Sequence, residues 1–370
     1  MALVRIARDK LLPLLLHDTV WLDVRAEVEF EKGQLSGAHN APILTTSERQ
    51  QVGTCYKQRG SDAAIALGHE LVSGNLRAQR IATWTDIVDR HPHVQLCCWR
   101  GGMRSQIAQQ WLHEAQRDVP VIEGGYKALR HTLLTHGEIA AQARPAIVIG
   151  GSTGSAKTAL INQLPGGIDL EAHANHRGSS FGRKVDDPPS QASFENALYV
   201  DLLRQHHRTE ASPVVYEDES RRIGAVSIPE PVLAQMHRAP IAVVDMPVAQ
   251  RVDNILDEYV VGMRASYEAS DSNDGAERYR QYLLSGLFRI RKRLGSERYT
   301  HLLAHLEQAL HDEFSRGELS AHRYWIEQLL TQYYDRMYAY QPQTNRDRQV
   351  FSGSWEDVHQ WALEQTAADR

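Results

Sequence analysis

The sequence predicts an α/β protein in which two parallel-sheet domains precede a helical C-terminal region. Short apolar runs alternate with helical patterns through the first two thirds of the chain, as in parallel sheets that helices cover on both faces. Two of these runs lead into glycine-rich loops that open helices, at residues 98–105 and 151–158. Beyond about residue 255 the apolar runs disappear and a helical period dominates. The chain is therefore predicted to finish in helices.

Length and composition limit the functional classes. A chain of 370 residues exceeds one ordinary domain, so two or three domains are expected. Lys and Arg number 41 against 46 Asp and Glu, a net charge of −5 that excludes a globally basic nucleic-acid coat protein. A local basic patch remains compatible with this balance. Three cysteines cannot form a disulfide framework, and no apolar run approaches the ~18 residues of a membrane span. We expect a cytoplasmic protein without a membrane partner.

Apolar runs place the domains along the chain. We expect a first domain over residues 1–135, a linker over 136–144, a P-loop α/β domain over 145–260 and a helical region over 261–370. The first domain has strand patterns at residues 20–24, 94–98 and 119–126, and the second at 145–150, 213–216 and 241–244.

The first glycine-rich loop carries a candidate nucleophile, Cys98. Arg104 follows six residues later with two glycines between them. Backbone N–H groups of such a loop, the following helix N-terminus and the Arg104 charge would all favour thiolate over thiol. The same donors would hold a tetrahedral anion. The predicted anion loop comprises Arg100, Gly101, Gly102, Met103 and Ser105.

The alternative for each cysteine is a small buried core residue. For Cys98 the loop favours the catalytic role. Cys97 lies one residue earlier, on the opposite side of the strand, where a core role is preferred. Cys55 is either a second thiol that relays the transferred atom or a buried residue.

The second glycine-rich loop matches a phosphate-binding P-loop. A strand precedes it and a helix follows, which is the context that the motif requires. Lys157 would reach the terminal phosphates and Thr158 would bind Mg²⁺. Ala156 stands where the pattern has its second glycine, and a glycine-rich turn with a solvated lysine is the alternative. The predicted diphosphate-binding residues are Gly151, Gly154, Ser155, Lys157 and Thr158.

Acidic residues after two apolar strands are candidates for the metal-binding carboxylate. One group is Glu217, Asp218 and Glu219, and the other is Asp245. The first group is preferred because several acids cluster there without a packing reason. Each is also compatible with a strand-end cap.

Basic residues in the second half of the chain are candidates for nucleic-acid contacts through phosphates, with tyrosines for base stacking. Solvated loops and core tyrosines are the alternatives. The basic candidates are Arg177, Arg183, Lys184, Arg289, Arg291, Lys292 and Arg293, and the tyrosines are Tyr333, Tyr334, Tyr338 and Tyr340.

The N-terminal region resembles the rhodanese domain. The resemblance rests on residues 22–25, 29–30 and 37–42 and on the loop at 98–105. It implies that Cys98 carries a transferred chalcogen as a persulfide or perselenide. The usual sulfurtransferase loop is one residue shorter; the enlarged loop is similar to that of rhodanese-like phosphatases and should accept an anion of phosphate size.

The combination of a rhodanese-like domain with a P-loop domain resembles the tRNA 2-selenouridine synthase family. Long polar strings extend the resemblance over nearly the whole chain, at residues 52–58, 62–69, 123–128, 176–182, 191–196 and 217–224. The resemblance implies exchange of sulfur for selenium at wobble 2-thiouridine in the tRNAs for Lys, Glu and Gln. Selenophosphate would be the donor, geranyl diphosphate a second substrate, and a selenophosphate-producing enzyme a partner. A role for Mg²⁺ is compatible with this reaction, and no stably bound cofactor is expected.

Three other functions stay open from the residues. The chain is alternatively a rhodanese-like Cys phosphatase, although no Asp near Cys98 suggests a general acid. It is alternatively a P-loop NTPase or kinase with a regulatory rhodanese module. The third alternative is a tRNA-binding scaffold without catalysis.

Overall fold

Two parallel sheets organise the computed structural model, which describes residues 4–208, 212–339 and 347–367. The chain divides into two compact units. The first unit comprises residues 1–141 and 190–208, and the second comprises 142–189 and 209–370. Within the described residues, no helix is long and apolar enough to cross a membrane.

The first unit contains a five-stranded sheet in the order β1-β5-β4-β2-β3, with every pair parallel. Buried apolar residues dominate the two central strands, as expected for a sheet covered on both faces. The strands are β1 (Arg5–Ile6), β2 (Trp21–Asp23), β3 (Ala38–Asn40), β4 (Gln95–Cys97) and β5 (Val121–Ile122).

Helices cover this sheet. Thr45 and Glu48 form a reciprocal capping box at the start of α3, which explains where that helix begins. Trp84 of α5 is fully buried and donates its indole N–H to Ala41 O at 2.8 Å. The helices of this unit are α1 (Leu11–Leu16), α2 (Glu27–Glu31), α3 (Thr46–Arg59), α4 (Ser61–Leu71), α5 (Gly74–Arg90), α6 (Met103–Glu114), α7 (Gly125–Ala143) and α10 (Gln191–Arg208).

A buried ion pair links β2 to the loops around it. Arg25 and Asp23 lie 2.7 Å apart and are almost fully buried. The Arg25 guanidinium also donates to Gly33 O at 2.8 Å and lies 3.8 Å from the centre of the Tyr126 ring. Each charge therefore has a partner, which a buried charge requires.

The second unit contains a five-stranded parallel sheet in the order β12-β11-β6-β8-β7 and a separate antiparallel pair, β9 with β10. The central strand β6 is buried over almost its whole length and ends at the P-loop. The strands are β6 (Ala146–Gly151), β7 (Gly167–Ile168), β8 (Val214–Glu217), β9 (Arg222–Ile223), β10 (Val226–Ser227), β11 (Ile241–Val244) and β12 (Gln349–Gly353).

Ten helices of the second unit fall within its described residues, together with two π-helical turns at Leu256–Val261 and Leu330–Tyr334. The helices after residue 247 enclose a large apolar cluster that includes Tyr279, Leu306 and Trp325. The helices are α8 (Lys157–Ile161), α9 (Leu170–Ala174), α11 (Glu230–Met236), α12 (Val248–Ile255), α13 (Gly262–Ser270), α14 (Gly275–Leu294), α15 (Ser296–Arg316), α16 (His322–Leu329), α17 (Asp335–Ala339) and α18 (Trp355–Ala367).

The structure differs from the sequence prediction at three places. Residues 136–143, expected to form a linker, continue α7. Residues 190–208, expected within the P-loop domain, belong to the first unit. Strand β12 follows the C-terminal helices and pairs with β11, where only helices were expected. Three of its five residues are exposed and two are half-buried, so it lacks the continuous buried apolar run of a central strand.

Candidate active sites

Cys98 lies at the carboxyl end of β4, where the buried strand runs into the loop before α6. Its side chain is 2% exposed. The start of α7 fixes the backbone here, because Tyr126 N donates to Cys98 O at 2.8 Å and Lys127 N donates to Trp99 O at 3.0 Å. Sheet and helix together hold the thiol in one position at the base of the loop.

Ser105 lies next to the Cys98 thiol. The thiol donates to Ser105 Oγ at 3.3 Å, and the Ser105 hydroxyl donates to Gly102 O at 2.9 Å. Ser105 is fully buried, so its hydroxyl has few other partners. Rotation of this hydroxyl would let it donate to a Cys98 thiolate.

Arg104 forms a bidentate ion pair with Glu29, and Arg49 contacts the same carboxylate at 3.1 Å. Burial opposes the charge on both partners. The hydrogen bond and charge of Arg104 nevertheless lower the pKa of Glu29, and those of Glu29 raise the pKa of Arg104. The pair therefore stays ionised and positions the guanidinium beside the loop.

A cavity of about 560 Å³ opens over the Cys98 loop. Four cationic side chains and one carboxylate line it together with Cys98, which gives the cavity a positive balance suited to an anion. The lining residues are Glu29, Lys32, Arg49, Cys98, Trp99, Arg100, Gly102, Met103 and Arg104.

The other two cysteines are buried elsewhere in the first unit. Burial raises the pKa of the Cys97 thiol well above its ordinary value, and the charge of Asp23 adds to the rise. Cys55 lies on α3 and is 8% exposed. It does not line the Cys98 cavity.

The P-loop joins β6 to α8 in the second unit. Lys157 Nζ donates to Gly151 O at 3.1 Å, which bends the lysine back over the loop. Ala156 has φ of 55° and ψ of 36°, the left-handed conformation that glycine adopts without strain. The loop therefore keeps a glycine-like backbone despite the substitution. Trp355 Nε1 donates to Ala156 O at 3.1 Å and Asn254 Nδ2 to Gly154 O at 2.8 Å.

Three carboxylates gather beside Thr158. Glu171, Glu217 and Glu219 each offer an oxygen atom within 4.8 Å of the others. Thr158 Oγ1 lies 3.0 Å from Glu217 Oε2 and 3.3 Å from Glu171 Oε2. Glu217 is 1% exposed, and its Oε1 atom has no hydrogen-bond partner among the described residues. Hard oxygen donors around an unsatisfied buried carboxylate fit a Mg²⁺ ion.

The pKa values of these carboxylates are raised. Burial and the neighbouring Glu171 charge raise the pKa of Glu217 well above its ordinary value, although Lys157 opposes the rise. The same causes raise the pKa of Glu219 to about 7. Burial also raises the pKa values of Glu171 and Asp218. A bound cation would favour the ionised form of carboxylates whose pKa values are raised in this way.

The sequence missed Glu171. It follows β7, a strand of two residues whose apolar signal is too short to be recognised. The other acidic candidates lie in different places. Asp218 lines the cavity beside the P-loop together with Glu217, whereas Asp245 is exposed and lies outside the lining of that cavity.

A cavity of about 740 Å³ extends from the P-loop. Lys157, Thr158 and the carboxylates contribute polar groups to its lining. Ile255, Tyr259, Tyr334 and Met337 contribute apolar and aromatic side chains. The cavity thus offers both charged groups and apolar surface.

Several basic candidates form a positive cluster around His176. Burial and the charges of Arg289, Lys184 and Arg177 lower the pKa of His176. Arg289 donates to Ser180 O at 2.9 and 2.7 Å, and Arg183 contacts Asp187 at 3.6 Å.

The remaining candidates differ in accessibility. Arg177 is ion-paired with Glu258 and contacts Met263. Arg291 lies over the exposed Phe288 ring, 3.6 Å from its centre. Lys292 and Arg293 are exposed on α14, and Arg293 donates to Tyr333 Oη at 3.5 Å. Tyr333 and Tyr334 are buried in the helical core. The Tyr338 side chain and Tyr340 lie outside the described residues.

Comparison with known proteins covers both units. Residues 9–132 match the rhodanese-like domain, and residues 144–369 match the tRNA 2-selenouridine synthase AAA domain. The tRNA 2-selenouridine synthase of Salmonella paratyphi A is 48% identical over 95% of this chain and 97% of its own length. That of Salmonella typhimurium is 48% identical over 94% and 96%. A solved N-terminal domain of an ATP/GTP-binding protein from Clostridium difficile 630 is 33% identical and covers 35% of this chain and 98% of its own, with a TM-score of 0.32, too low to indicate a shared fold.

Proposed function

The chain belongs to the tRNA 2-selenouridine synthase family and is an enzyme that modifies tRNA, and from this premise we propose how its two sites divide the reaction. The P-loop site transfers a geranyl group to the sulfur of wobble 2-thiouridine. The Cys98 site then delivers selenium from selenophosphate. The substrates are the tRNAs for Lys, Glu and Gln, and the enzyme works in the cytoplasm.

The lining of the P-loop cavity is the observation that carries this division. Geranyl diphosphate has a charged end and an apolar chain, and the cavity is lined by charged groups of the P-loop site and by apolar and aromatic side chains. Lys157 and the loop N–H groups would bind the diphosphate. The Thr158 hydroxyl and the three carboxylates would hold Mg²⁺, which when bound neutralises charge on the leaving diphosphate.

The first step is an alkylation. The thiocarbonyl sulfur forms a bond to C1 of the geranyl group as the C1–O bond to diphosphate breaks. Lys157 stabilises the charge that develops on the departing diphosphate. The product is an S-alkylated uridine, whose C2 carries a better leaving group than a thiocarbonyl sulfur.

The second step is a substitution at C2. Selenium in selenophosphate is already at the selenide oxidation level, so its attack on C2 with loss of geranylthiolate needs no oxidant. The Cys98 thiol protonates the departing geranylthiolate, and water then cleaves the P–Se bond and releases phosphate. A perselenide on Cys98, which the rhodanese resemblance implies, requires an additional two-electron oxidant. The mass of the intact enzyme after treatment with selenophosphate distinguishes the two routes.

Positive charge supports binding of both anionic substrates. The Cys98 cavity has a cationic balance that suits selenophosphate. Arg183, Lys184 and Arg289 form the basic cluster that we assign to tRNA phosphates. A chain with net charge −5 must localise its positive charge to bind tRNA.

Nucleoside mass spectrometry tests the proposal. Thiolated tRNA is incubated with geranyl diphosphate, selenophosphate and wild type, Cys98→Ser or Lys157→Ala. We expect 2-selenouridine with wild type, geranylated thiouridine with Cys98→Ser and unmodified thiouridine with Lys157→Ala. Selenouridine formation by Lys157→Ala at the wild-type rate would refute the role of the P-loop site.

A further inference from the structure

An open apolar groove of about 1020 Å³ lies on the first unit, between α3, α4 and α6. Its walls include Val52, Ile65, Ile107 and Trp111. Two polar strings of the sequence, residues 52–58 and 62–69, lie in α3 and α4 here, and neither the P-loop site nor the Cys98 cavity uses them. Several of their side chains line this apolar surface instead.

Two helix-interior glycines line this groove. Gly53 lies within α3 and Gly68 within α4, where glycine destabilises a helix relative to alanine. A Cβ atom at Gly53 would meet no atom within 4 Å, and one at Gly68 would meet only Val52 Cγ2 at 3.9 Å. Packing of the chain on itself does not require either glycine. The space that they leave is available to a molecule other than the chain.

The groove adjoins the Cys98 cavity. Arg49, Met103 and Arg104 line both spaces. Met103 is 49% exposed at this junction, so its side chain offers apolar surface to both spaces. A ligand in the groove would therefore reach the anion site with one end.

We propose that this groove holds the isoprenoid chain of the S-geranylated uridine during selenium substitution. This inference rests on the proposed function, in which the geranyl group is the apolar part of the substrate that reaches Cys98. Burial of the isoprenoid chain would provide binding energy at a distance from the reacting atoms. This energy would hold C2 of the uridine over the anion loop. Geranylthiolate, once displaced, would leave along the same apolar surface.

The experiment compares two synthetic tRNA substrates, carrying S-geranyl- or S-methyl-2-thiouridine, with selenophosphate as the donor. The variant Gly53→Leu fills the groove at a position with free space. The control Gln51→Leu adds the same side chain to an exposed position of α3 outside the groove lining. The kcat/KM for 2-selenouridine formation is measured for each pair.

Wild type is expected to prefer the geranyl substrate. Gly53→Leu should lower kcat/KM for that substrate by about tenfold or more, because burial of several methylene groups is lost. It should leave the methyl substrate unchanged, which also shows that the variant is folded, and Gln51→Leu should match wild type on both substrates.

Two results would overturn the assignment in distinguishable ways. If Gly53→Leu converts the geranyl substrate as well as wild type does, the groove does not hold the isoprenoid chain, and the proposed reaction stands. If wild type converts neither alkylated substrate but converts 2-thiouridine directly, the alkylated intermediate is refuted and the assignment falls with it.

Discussion

Ala156 occupies the position where the P-loop pattern has its second glycine, and its left-handed conformation is strained for a residue with a side chain. A left-handed residue with a Cβ atom costs about 1–2 kcal/mol, partly offset by the smaller conformational freedom that alanine has in the unfolded chain, worth about 0.4–1 kcal/mol. The backbone is held in this conformation from both sides, by Trp355 on Ala156 O and Asn254 on Gly154 O. The surrounding structure thus fixes the backbone of the P-loop.

Substitutions of Ala156 are expected to change the free energy of unfolding according to how easily the new residue adopts the left-handed conformation. Ala156→Gly should raise the free energy of unfolding by up to about 1 kcal/mol, and Ala156→Val should lower it by about 2 kcal/mol, since β-branched residues resist positive φ. Urea unfolding followed by tryptophan fluorescence measures both. A loss of more than about 1 kcal/mol in Ala156→Gly would contradict the left-handed backbone.

Mg²⁺ is expected to raise Tm through the three carboxylates, and more at pH 8 than at pH 6. The pKa of Glu219 is about 7 in the folded chain, so protons compete with the cation below that pH. Without the ion, stability should fall as pH rises through 7, because the unfolded Glu219 loses its proton at a lower pH. Mg²⁺ at 100 times its Kd would restore about 2.7 kcal/mol.

Thermal unfolding with and without Mg²⁺ measures this effect. Glu217→Gln should abolish the response, whereas Asp245→Asn, which changes an exposed acid outside the cavity, should retain it. An equal response in both variants would contradict the assignment of the site.

At the scale of elements, α10 shows how far a segment can lie in sequence from the unit that it completes. Asn196 of α10 is fully buried and donates to Gln34 O at 2.6 Å and Tyr126 Oη at 3.1 Å. Arg130 donates to its Oδ1 atom at 2.6 Å. These contacts attach the helix to the unit that contains Cys98.

Asn196→Ala is therefore expected to destabilise the first unit by about 2–3 kcal/mol, through loss of buried hydrogen bonds. Hydrogen exchange should increase across residues 1–141 and stay unchanged in the P-loop. Asn254→Ala is the converse control, since its amide contacts the P-loop, where exchange should rise instead. Increased exchange in the P-loop of Asn196→Ala would contradict the membership of α10 in the first unit.

At the scale of the whole molecule, the two units are expected to act on separate steps. Purified tRNA that carries S-geranyl-2-thiouridine should be converted to 2-selenouridine by Lys157→Ala at about the wild-type rate, because the alkylation step is bypassed. Cys98→Ser should convert none of it. Nucleoside mass spectrometry measures both, and loss of conversion in Lys157→Ala would show that the P-loop also serves the selenium step.

The sequence by itself determined the fold class and the family, and the comparisons and the parallel sheets confirm both. It also located the two loops, because each is a contiguous run in which glycines, a nucleophile or lysine, and a following helix act over a few residues. Such local signals need no knowledge of distant contacts.

Only the tertiary structure decided which distant residues join these loops. Glu29 meets Arg104, and Glu171 meets Glu217, across 75 and 46 positions of the chain. Strand β12, helix α10 and the groove likewise depend on pairing and packing between segments far apart in sequence. The physical reason is that hydrophobic burial and sheet pairing act between surfaces, and a surface is assembled only when the chain folds.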